Sequence, residues 1–193
     1  MASTKLNAPT ATPVRGREAA TERIFLAAEK LFAQMPPSEV TTRAIAEHAQ
    51  VNLALIHRYV GPKEEVLRQV MQRYAHRFKA DVEQAGELAN GLINPLRDPA
   101  HEPFLRTLAF LTLTGYPIDD VLAADGGLKA LLKMGQGDGM ESSRVVAAMA
   151  MGMGWTLFHE FLLKASGLQK QAVELDETVH EYMRQMTRKT LPK

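Results

Sequence analysis

Three observations predict an all-α fold. Apolar residues recur with the spacing of a helix through most of the chain from Thr21 onward, and proline or glycine clusters separate these periodic segments. No alternation of apolar and polar residues is long enough for a β-strand. The length of 193 residues, with 46% hydrophobic and 23% charged residues, is ordinary for one or two globular domains.

The chain begins with a segment that is poor in large apolar side chains. Residues 1–20 are rich in Ala, Thr, Pro and Arg, so we expect a flexible basic tail. A first helix is then predicted from Thr21 to the prolines at 36 and 37, because its apolar residues fall on one helical face. These residues are Ile24, Ala27, Ala28, Leu31 and Phe32.

Two short helices are predicted next, because the same start pattern occurs twice. Thr41 is suited to cap a helix over residues 41–49, and Asn52 a helix over residues 52–60. Each cap lies between an apolar residue just before it and an isoleucine four residues after it, which is the spacing of a hydrophobic staple. Two short helices joined by so short a turn indicate a helix-turn-helix, whose second helix enters the major groove of DNA.

The remaining helices are predicted from periodicity and from the positions of proline. Gly61 and Pro62 precede a long helix, and the glycines and prolines between residues 86 and 103 indicate a junction or a kinked connection. Four further helices are expected at about 104–115, 118–135, 141–165 and 171–190. We therefore divide the chain into the tail, an N-terminal three-helix DNA-binding domain at 21–65 and a C-terminal helical ligand-binding and dimerisation domain at 66–193.

The net charge of +1 conceals two regions of opposite sign. Residues 1–79 contain twelve Lys and Arg against seven Asp and Glu, a net charge of +5, whereas residues 80–193 contain eleven against fifteen, a net charge of −4. A basic N-terminal region fits an anionic partner such as a nucleic-acid backbone, although a solvated basic face has the same composition. Charge alone does not separate these alternatives.

Several other classes of protein are disfavoured by the sequence. The chain has no cysteine, and His159 has Leu163 instead of a second ligand four residues later, so neither a disulfide framework nor a zinc site is predicted. The glycines at 135–139 have the wrong spacing for a phosphate loop, and the paired carboxylates are adjacent in sequence and diverge on a helix. We expect no enzymatic activity, no catalytic residues and no cofactor. The longest uncharged apolar stretch, 145–159, is too short for a membrane span, so we expect a cytoplasmic protein with no membrane partner.

The segment from Val40 to Val66 resembles the DNA-binding domain of the TetR family of bacterial transcriptional regulators. The resemblance rests on the runs VTTRAIA at 40–46, VN at 51–52 and IHRYVGPKEEV at 56–66, and it covers about residues 21–75. It implies an all-α homodimer that binds a two-fold double-stranded DNA operator and leaves it when a small molecule binds the C-terminal domain. Repression is the expected mode of action.

The resemblance also implies which residues contact DNA. The expected set comprises Thr41, Thr42, Arg43, Asn52, Leu53, Ala54, His57, Arg58, Tyr59 and Lys63. Three positions depart from the family pattern: Gln50 replaces a turn glycine, His57 a tyrosine and Pro62 a helix-capping serine. A left-handed Gln50 would cost roughly 1–2 kcal/mol. Because of these departures, the alternative is a helical ligand-sensing or protein-interaction module without specific DNA binding.

The C-terminal domain is predicted to bind a small apolar ligand. Its methionines and large rings suit an adaptable pocket, although most such residues simply form a core. The candidates are Phe104, Leu108, Leu111, Tyr116, Met134, Met149, Met153, Trp155, Phe158 and His159. The last two helices are expected to form a symmetric dimer interface through small residues and an apolar stripe. These are Ala147, Ala148, Ala150, Gly152 and Gly154 on the first helix, with Leu175, Val179, Tyr182, Met183 and Met186 on the second.

Overall fold

The structure, a computed structural model, describes residues 16–120 and 126–188. Within these ranges it has nine α-helices, three short 3-10 turns and no strand. The helices are α1 (Arg17–Gln34), α2 (Thr42–Ala49), α3 (Leu53–Tyr59), α4 (Lys63–Gln84), α5 (Leu88–Arg97), α6 (Glu102–Leu113), α7 (Gly127–Gly137), α8 (Ser142–Ser166) and α9 (Ala172–Thr187). The all-α prediction is confirmed.

Three helix boundaries differ from the sequence prediction. The first helix begins at Arg17, four residues early, and most of the expected tail lies outside the described residues. The region expected to be a connection contains α5. Its Pro95 lies in the last turn, where a proline disrupts fewer backbone hydrogen bonds than in the middle of a helix. The helix expected at 118–135 is instead a 3-10 turn at Ile118–Asp120 and a separate α7 that begins at Gly127.

The N-terminal helices are built around one apolar core. Helices α1, α2 and α3 bury Phe32, Ile45 and Ile56 completely, and the first half of α4 closes this core with Val66 through Tyr74. Leu111 of α6 is also completely buried in it. The core that holds the helix-turn-helix therefore includes part of the C-terminal region.

A second core lies under the remaining helices. The end of α4 contributes Phe78 and Val82, and helices α5 to α9 contribute the rest together with Met140, which lies between α7 and α8. Phe104 on α6 packs against both cores, with its ring centroid 5.6 Å from that of Tyr74 and 6.3 Å from that of Phe78. Helices α4 and α6 thus connect the core under α1 to α3 with the core under the C-terminal helices through continuous packing.

Helix α8 has an apolar surface that the rest of the chain leaves uncovered. It is the one helix of the described residues that is long and apolar enough to cross a membrane by length and composition, and little of its apolar stretch is buried. Its exposed side chains include Val146, Met151, Phe158, Phe161 and Leu162. Core helices of soluble proteins pass the same test, but an exposed apolar face of this extent indicates a surface that needs a partner.

Gly152 allows α8 to pack closely against α5 and α9. A Cβ atom at this position would lie 2.4 Å from Leu96 Cδ1 and 2.7 Å from Met183 Cε. We therefore expect Gly152→Ala to lower the free energy of unfolding by about 1–3 kcal/mol, because the neighbouring side chains must move within a filled core. Chemical denaturation measures this change. Gly137→Ala is the matched control, since this exposed helical glycine has no neighbour within 4 Å of its Cβ position among the described residues, and equal losses in both variants would contradict the packing argument.

Candidate nucleic-acid interface

The starts of α2 and α3 are fixed by the two predicted caps. The Thr41 hydroxyl accepts a hydrogen bond from the Ala44 amide at 3.1 Å, and Asn52 Oδ1 accepts one from the Ala54 amide at 2.9 Å. Helix propensity alone does not stabilise helices of eight and seven residues, so these caps and the buried isoleucine of each staple determine where both helices begin.

The turn between α2 and α3 contains a residue in the left-handed conformation. Gln50 has φ 52° and ψ 45°, and among the described residues it alone has a positive φ without being glycine. The Val51 amide closes the turn by donating to the Ala46 carbonyl at 3.0 Å. Arg23 of α1 donates to the Gln50 carbonyl at 3.3 Å and to its side-chain Oε1 at 3.1 Å. The first helix therefore holds the turn directly.

We expect Gln50→Gly to raise the free energy of unfolding by about 0.5–1 kcal/mol. Glycine removes the left-handed cost of roughly 1–2 kcal/mol, and this gain is partly offset by the lost bond from Arg23 and by a more flexible unfolded chain. Urea denaturation followed by circular dichroism measures the difference. Gln50→Ala is the control, because it keeps the strained backbone and loses the amide, and it should be less stable than the parent chain. A destabilised Gln50→Gly variant would contradict the argument.

The ten residues predicted to contact DNA lie on α2, α3 and the caps or first turns of α2 to α4. Seven of them are exposed: Thr41, Arg43, Asn52, Leu53, Ala54, His57 and Arg58. The other three, Thr42, Tyr59 and Lys63, are partly buried. Leu53 remains 39% exposed. The recognition helix α3 is thus accessible from outside.

Several of the polar candidates already have partners within the chain. Arg43 pairs with Glu47 at 3.2 Å, but both side chains are largely exposed, so this pair is weak and its arginine is easily redirected. The guanidinium groups of Arg17 and Arg58 lie 5.7 and 5.9 Å from the ring centroid of Tyr59. Arg17 begins α1, whereas Arg15 of the expected basic tail lies outside the described residues.

Lys63 begins α4 and connects it to the loop before α2. Its ammonium group donates to the Pro37 carbonyl at 3.1 Å and contacts that of Ser38 at 3.4 Å. In the same helical turn, Glu65 accepts hydrogen bonds from Arg68 and Gln69, which lower its pKa to about 2. Its negative charge is therefore permanent near neutral pH and is balanced by the neighbouring arginine.

A buried charged group connects α1 to α4. Glu29 is 8% exposed, and its carboxylate lies 3.5 Å from Arg73 Nε and 3.2 Å from an Arg77 guanidinium nitrogen. Arg73 also donates to Glu22 at 2.7 Å. Sequence analysis missed this cluster and Arg23, because the contacts join residues 27 to 51 positions apart and no local pattern marks them.

The structure separates the ten ligand-binding candidates into several environments. Leu108, Leu111 and Tyr116 pack against the first core, while Met134, Met149 and Met153 pack in or against the second. Phe104 contacts both cores, and Phe158 is 56% exposed on the apolar face of α8. Trp155 and His159 line a cavity of about 300 Å³ between α5, α8 and α9. The described residues therefore do not gather the ten side chains around one apolar cavity, because α6 packs on α1 whereas α7 and α8 pack on the second core.

Three possible metal ligands also lie together, although no metal site is predicted from the sequence. Suitable atoms of Asp81, Asp98 and His101 come within 4.8 Å of one another. His101 is almost completely buried, and its Nε2 lies 2.6 Å from Asp81 Oδ2. This hydrogen bond between α4 and the turn before α6 accounts for the closeness of two of the three.

Two capped helices around a stabilised turn, with an accessible second helix, define the chain as a helix-turn-helix DNA-binding protein. Residues 24–70 match the family model described as "Bacterial regulatory proteins, tetR family". The chain is 27% identical over 159 residues to the "HTH-type transcriptional repressor Rv3405c" of Mycobacterium tuberculosis (strain ATCC 25618 / H37Rv), covering 80% of this chain and 81% of the relative. The "HTH-type transcriptional regulator Mb3439c" of Mycobacterium bovis (strain ATCC BAA-935 / AF2122/97) matches equally.

A solved structure has the same fold. The crystal structure of HlyIIR, "a Hemolysin II transcriptional Regulator", aligns with a TM-score of 0.54 and 19% identity over 90% of this chain and 100% of that one. At this identity the similarity supports the fold alone. The family match over residues 24–70 and the relatives identify the chain as a DNA-binding transcriptional regulator whose helix-turn-helix region is that of the TetR family. The relatives are regulators and not enzymes.

Proposed function

We propose that this regulator is a cytoplasmic homodimeric repressor that binds a two-fold operator and is released from it by a small, largely apolar molecule. The observation that carries the proposal is the accessible helix α3, which is capped by Asn52 and exposes Leu53, Ala54, His57 and Arg58. An α-helix with this exposure fits the major groove. Leu53 and Ala54 offer methyl groups suited to thymine, while His57 and Arg58 supply polar contacts.

The remaining predicted contacts are assigned to positioning the helix-turn-helix region of each subunit, its DNA-binding head, on the DNA backbone. Thr41, Thr42 and Arg43 lie at the start of α2, where amide groups and the helix dipole favour a phosphate. Lys63 retains donor capacity beyond its bonds to the Pro37 and Ser38 carbonyls, since an ammonium group has three protons. Tyr59 supports the end of α3 and is flanked by two arginines.

The apolar face of α8 supports dimerisation. Together with Val179 of α9, residues of α8 line an apolar groove of about 400 Å³. Its α8 residues are Ala150, Met151, Gly154, Trp155, Phe158, Phe161 and Leu162. We assign this groove to packing against the same groove of a second copy, which gives an isologous interface. The residues predicted for this interface are only partly suited to it, because Ala148, Gly152 and Met183 are buried within the chain.

Release from DNA requires a ligand that favours one arrangement of the two heads. Two recognition helices fit successive major grooves when they are about 34–36 Å apart. A ligand with equal affinity for both arrangements does not change the equilibrium between them. Helix α4 is suited to carry the change, because Met71 and Tyr74 are buried in the first core while Phe78 and Val82 are buried in the second. A displacement of α4 by ligand would alter the separation of the heads.

Selection of bound fragments from the host genome tests the proposal. The full-length protein is incubated with sheared genomic DNA at two salt concentrations, and the bound fragments are sequenced. A repressor should retain a small set of fragments with a shared two-fold site, with affinity that falls steeply as salt rises. Weak retention of unrelated fragments at low salt alone would overturn the proposal in favour of a ligand-sensing module without specific DNA binding.

A further inference from the structure

The cavity between α5, α8 and α9 combines aromatic walls with carboxylates. It has a volume of about 300 Å³ and extends from the end of α5 to the first turn of α6. The rings of Trp155 and His159 form one wall, with their centroids 6.0 Å apart. Asp98, Glu102 and Asp176 also line the cavity. An apolar ring and a positively charged group would both find complementary surfaces here.

The charges around the cavity favour a cation over an anion. Arg97 is bound by acidic partners, since its guanidinium lies 2.7 Å from Glu177 and 3.6 Å from Asp176. Glu102 accepts a hydrogen bond from Arg106 at 2.8 Å. Asp98, by contrast, forms no ion pair with a lysine or arginine among residues 16–120 and 126–188, and its Oδ1 accepts a hydrogen bond from the Ala100 amide at 2.9 Å. The Asp98 carboxylate is therefore available to a ligand.

A buried histidine of α9, His180, also lines this cavity. His180 is 3% exposed, and its Nδ1 makes no hydrogen bond in the described structure, although Asp176 Oδ2 lies 3.3 Å away. Burial lowers the pKa of His180, so its ring is neutral near pH 7.5. Because Nδ1 lies beside the Asp176 carboxylate, it carries the ring proton, and Nε2 is the nitrogen that accepts a hydrogen bond. Nε2 makes no hydrogen bond to the described residues, and an N–H group of a ligand in the cavity would supply its partner.

We propose that this cavity binds a small aromatic amine in its protonated form, with the ammonium group between Asp98 and His180 and the ring against Trp155 and His159. Carboxylate and imidazole acceptors together recognise an ammonium group, and the indole ring adds cation–π attraction. The role of this amine as the ligand that releases DNA rests on the proposed function. Binding of the amine to the free protein does not, because it is argued from the residues of the cavity alone. An aromatic amine also matches the largely apolar ligand expected for the domain.

Three probes of similar shape and different charge test the proposal on the full-length protein without DNA. These are 2-phenylethylammonium, 2-phenylethanol and 3-phenylpropionate, titrated at pH 7.5 with EDTA present so that no metal ion occupies the Asp98 side of the cavity. Trp155 is the single tryptophan of the chain and lines both this cavity and the apolar groove of α8, so its fluorescence is followed at constant protein concentration and calorimetry provides an independent measurement. We expect the ammonium probe to bind at least about tenfold more tightly than the alcohol, with the carboxylate weakest.

Two substitutions locate the charge recognition. Asp98→Asn removes the charge and keeps an amide oxygen for the Ala100 bond. We expect it to lower the affinity for the ammonium probe about tenfold and to leave the affinity for the alcohol unchanged. Glu160→Gln is the matched control, because it removes an exposed carboxylate of α8 that does not line the cavity, and it should change neither probe. Equal affinities for the three probes, or an unaffected Asp98→Asn variant, would overturn the proposal.

A separate measurement distinguishes this inference from the proposed function. Release of a selected operator fragment is followed by anisotropy as the ammonium probe is added. If the probe binds but DNA is not released, the amine site is supported and the role of the amine as the releasing ligand is contradicted. If the protein binds DNA specifically but shows no preference for the ammonium probe, the regulatory function is supported and the amine site is contradicted.

Discussion

Ala54→Glu is expected to weaken binding of a selected operator at least about 100-fold while leaving the fold intact. Ala54 is the second residue of α3, exposed and next to the capping Asn52. A carboxylate in the first turn of a helix is favourable for the helix itself. Facing DNA, however, it meets phosphates in both heads of the dimer, and like-charge contacts cost several kcal/mol. Fluorescence anisotropy at fixed salt measures the loss.

The control is Ala54→Gln, which has nearly the same size without the charge. We expect less than a tenfold loss of affinity for this variant, and circular dichroism and thermal unfolding should match the parent chain for both. If Ala54→Glu binds the operator as well as the parent chain does, α3 is not the helix that enters the groove.

Phe161→Asp is expected to convert the protein to a monomer at micromolar concentration, with the dimer dissociation constant raised at least about 100-fold. Phe161 is 66% exposed and lines the apolar groove of α8. A two-fold interface contains two copies of each residue, so a charge placed in its centre is buried twice without a partner. Light scattering coupled to size exclusion measures the mass. Operator affinity should fall with it, because a single head contacts only half of the site.

Val173→Asp is the matched control for the dimer prediction. Val173 is an apolar residue that is 81% exposed on α9 and does not line the groove. It should leave the dimer unchanged, which separates the effect of position from that of an added surface charge. A dimeric Phe161→Asp protein, or a monomeric Val173→Asp protein, would place the interface elsewhere on the molecule.

The parts of the fold that local chemistry determines were predictable from the sequence. Thr41 and Asn52 bond to amides only two or three residues ahead, so the starts of α2 and α3 are encoded within four residues. The left-handed conformation considered for Gln50 is also observed, and it is implied by the resemblance to a family with glycine at this position.

Features that depend on distant packing were not predictable. The region containing α5 was expected to be a connection, because Gly91 and Pro95 resemble helix breakers. In the structure, Gly91 brings α5 close to α4 and α7: its Cβ position would lie 3.3 Å from the Val82 carbonyl and 3.3 Å from Leu131. The packing of the ligand candidates was not predictable either, since apolar periodicity does not show which core a side chain joins. Only tertiary contacts place Trp155 beside Asp98 and His180.

Phe104 and α4 give the domain boundary a particular meaning. Residues 66–74 of α4 complete the core under the helix-turn-helix, and Phe104 fills space beneath both halves of the molecule. A fragment cut after residue 65 would lose one wall of its interior and expose Phe32, Ile45 and Ile56 to water. The boundary placed after residue 65 therefore separates functions and not folding units, because the packing that stabilises the helix-turn-helix continues across it.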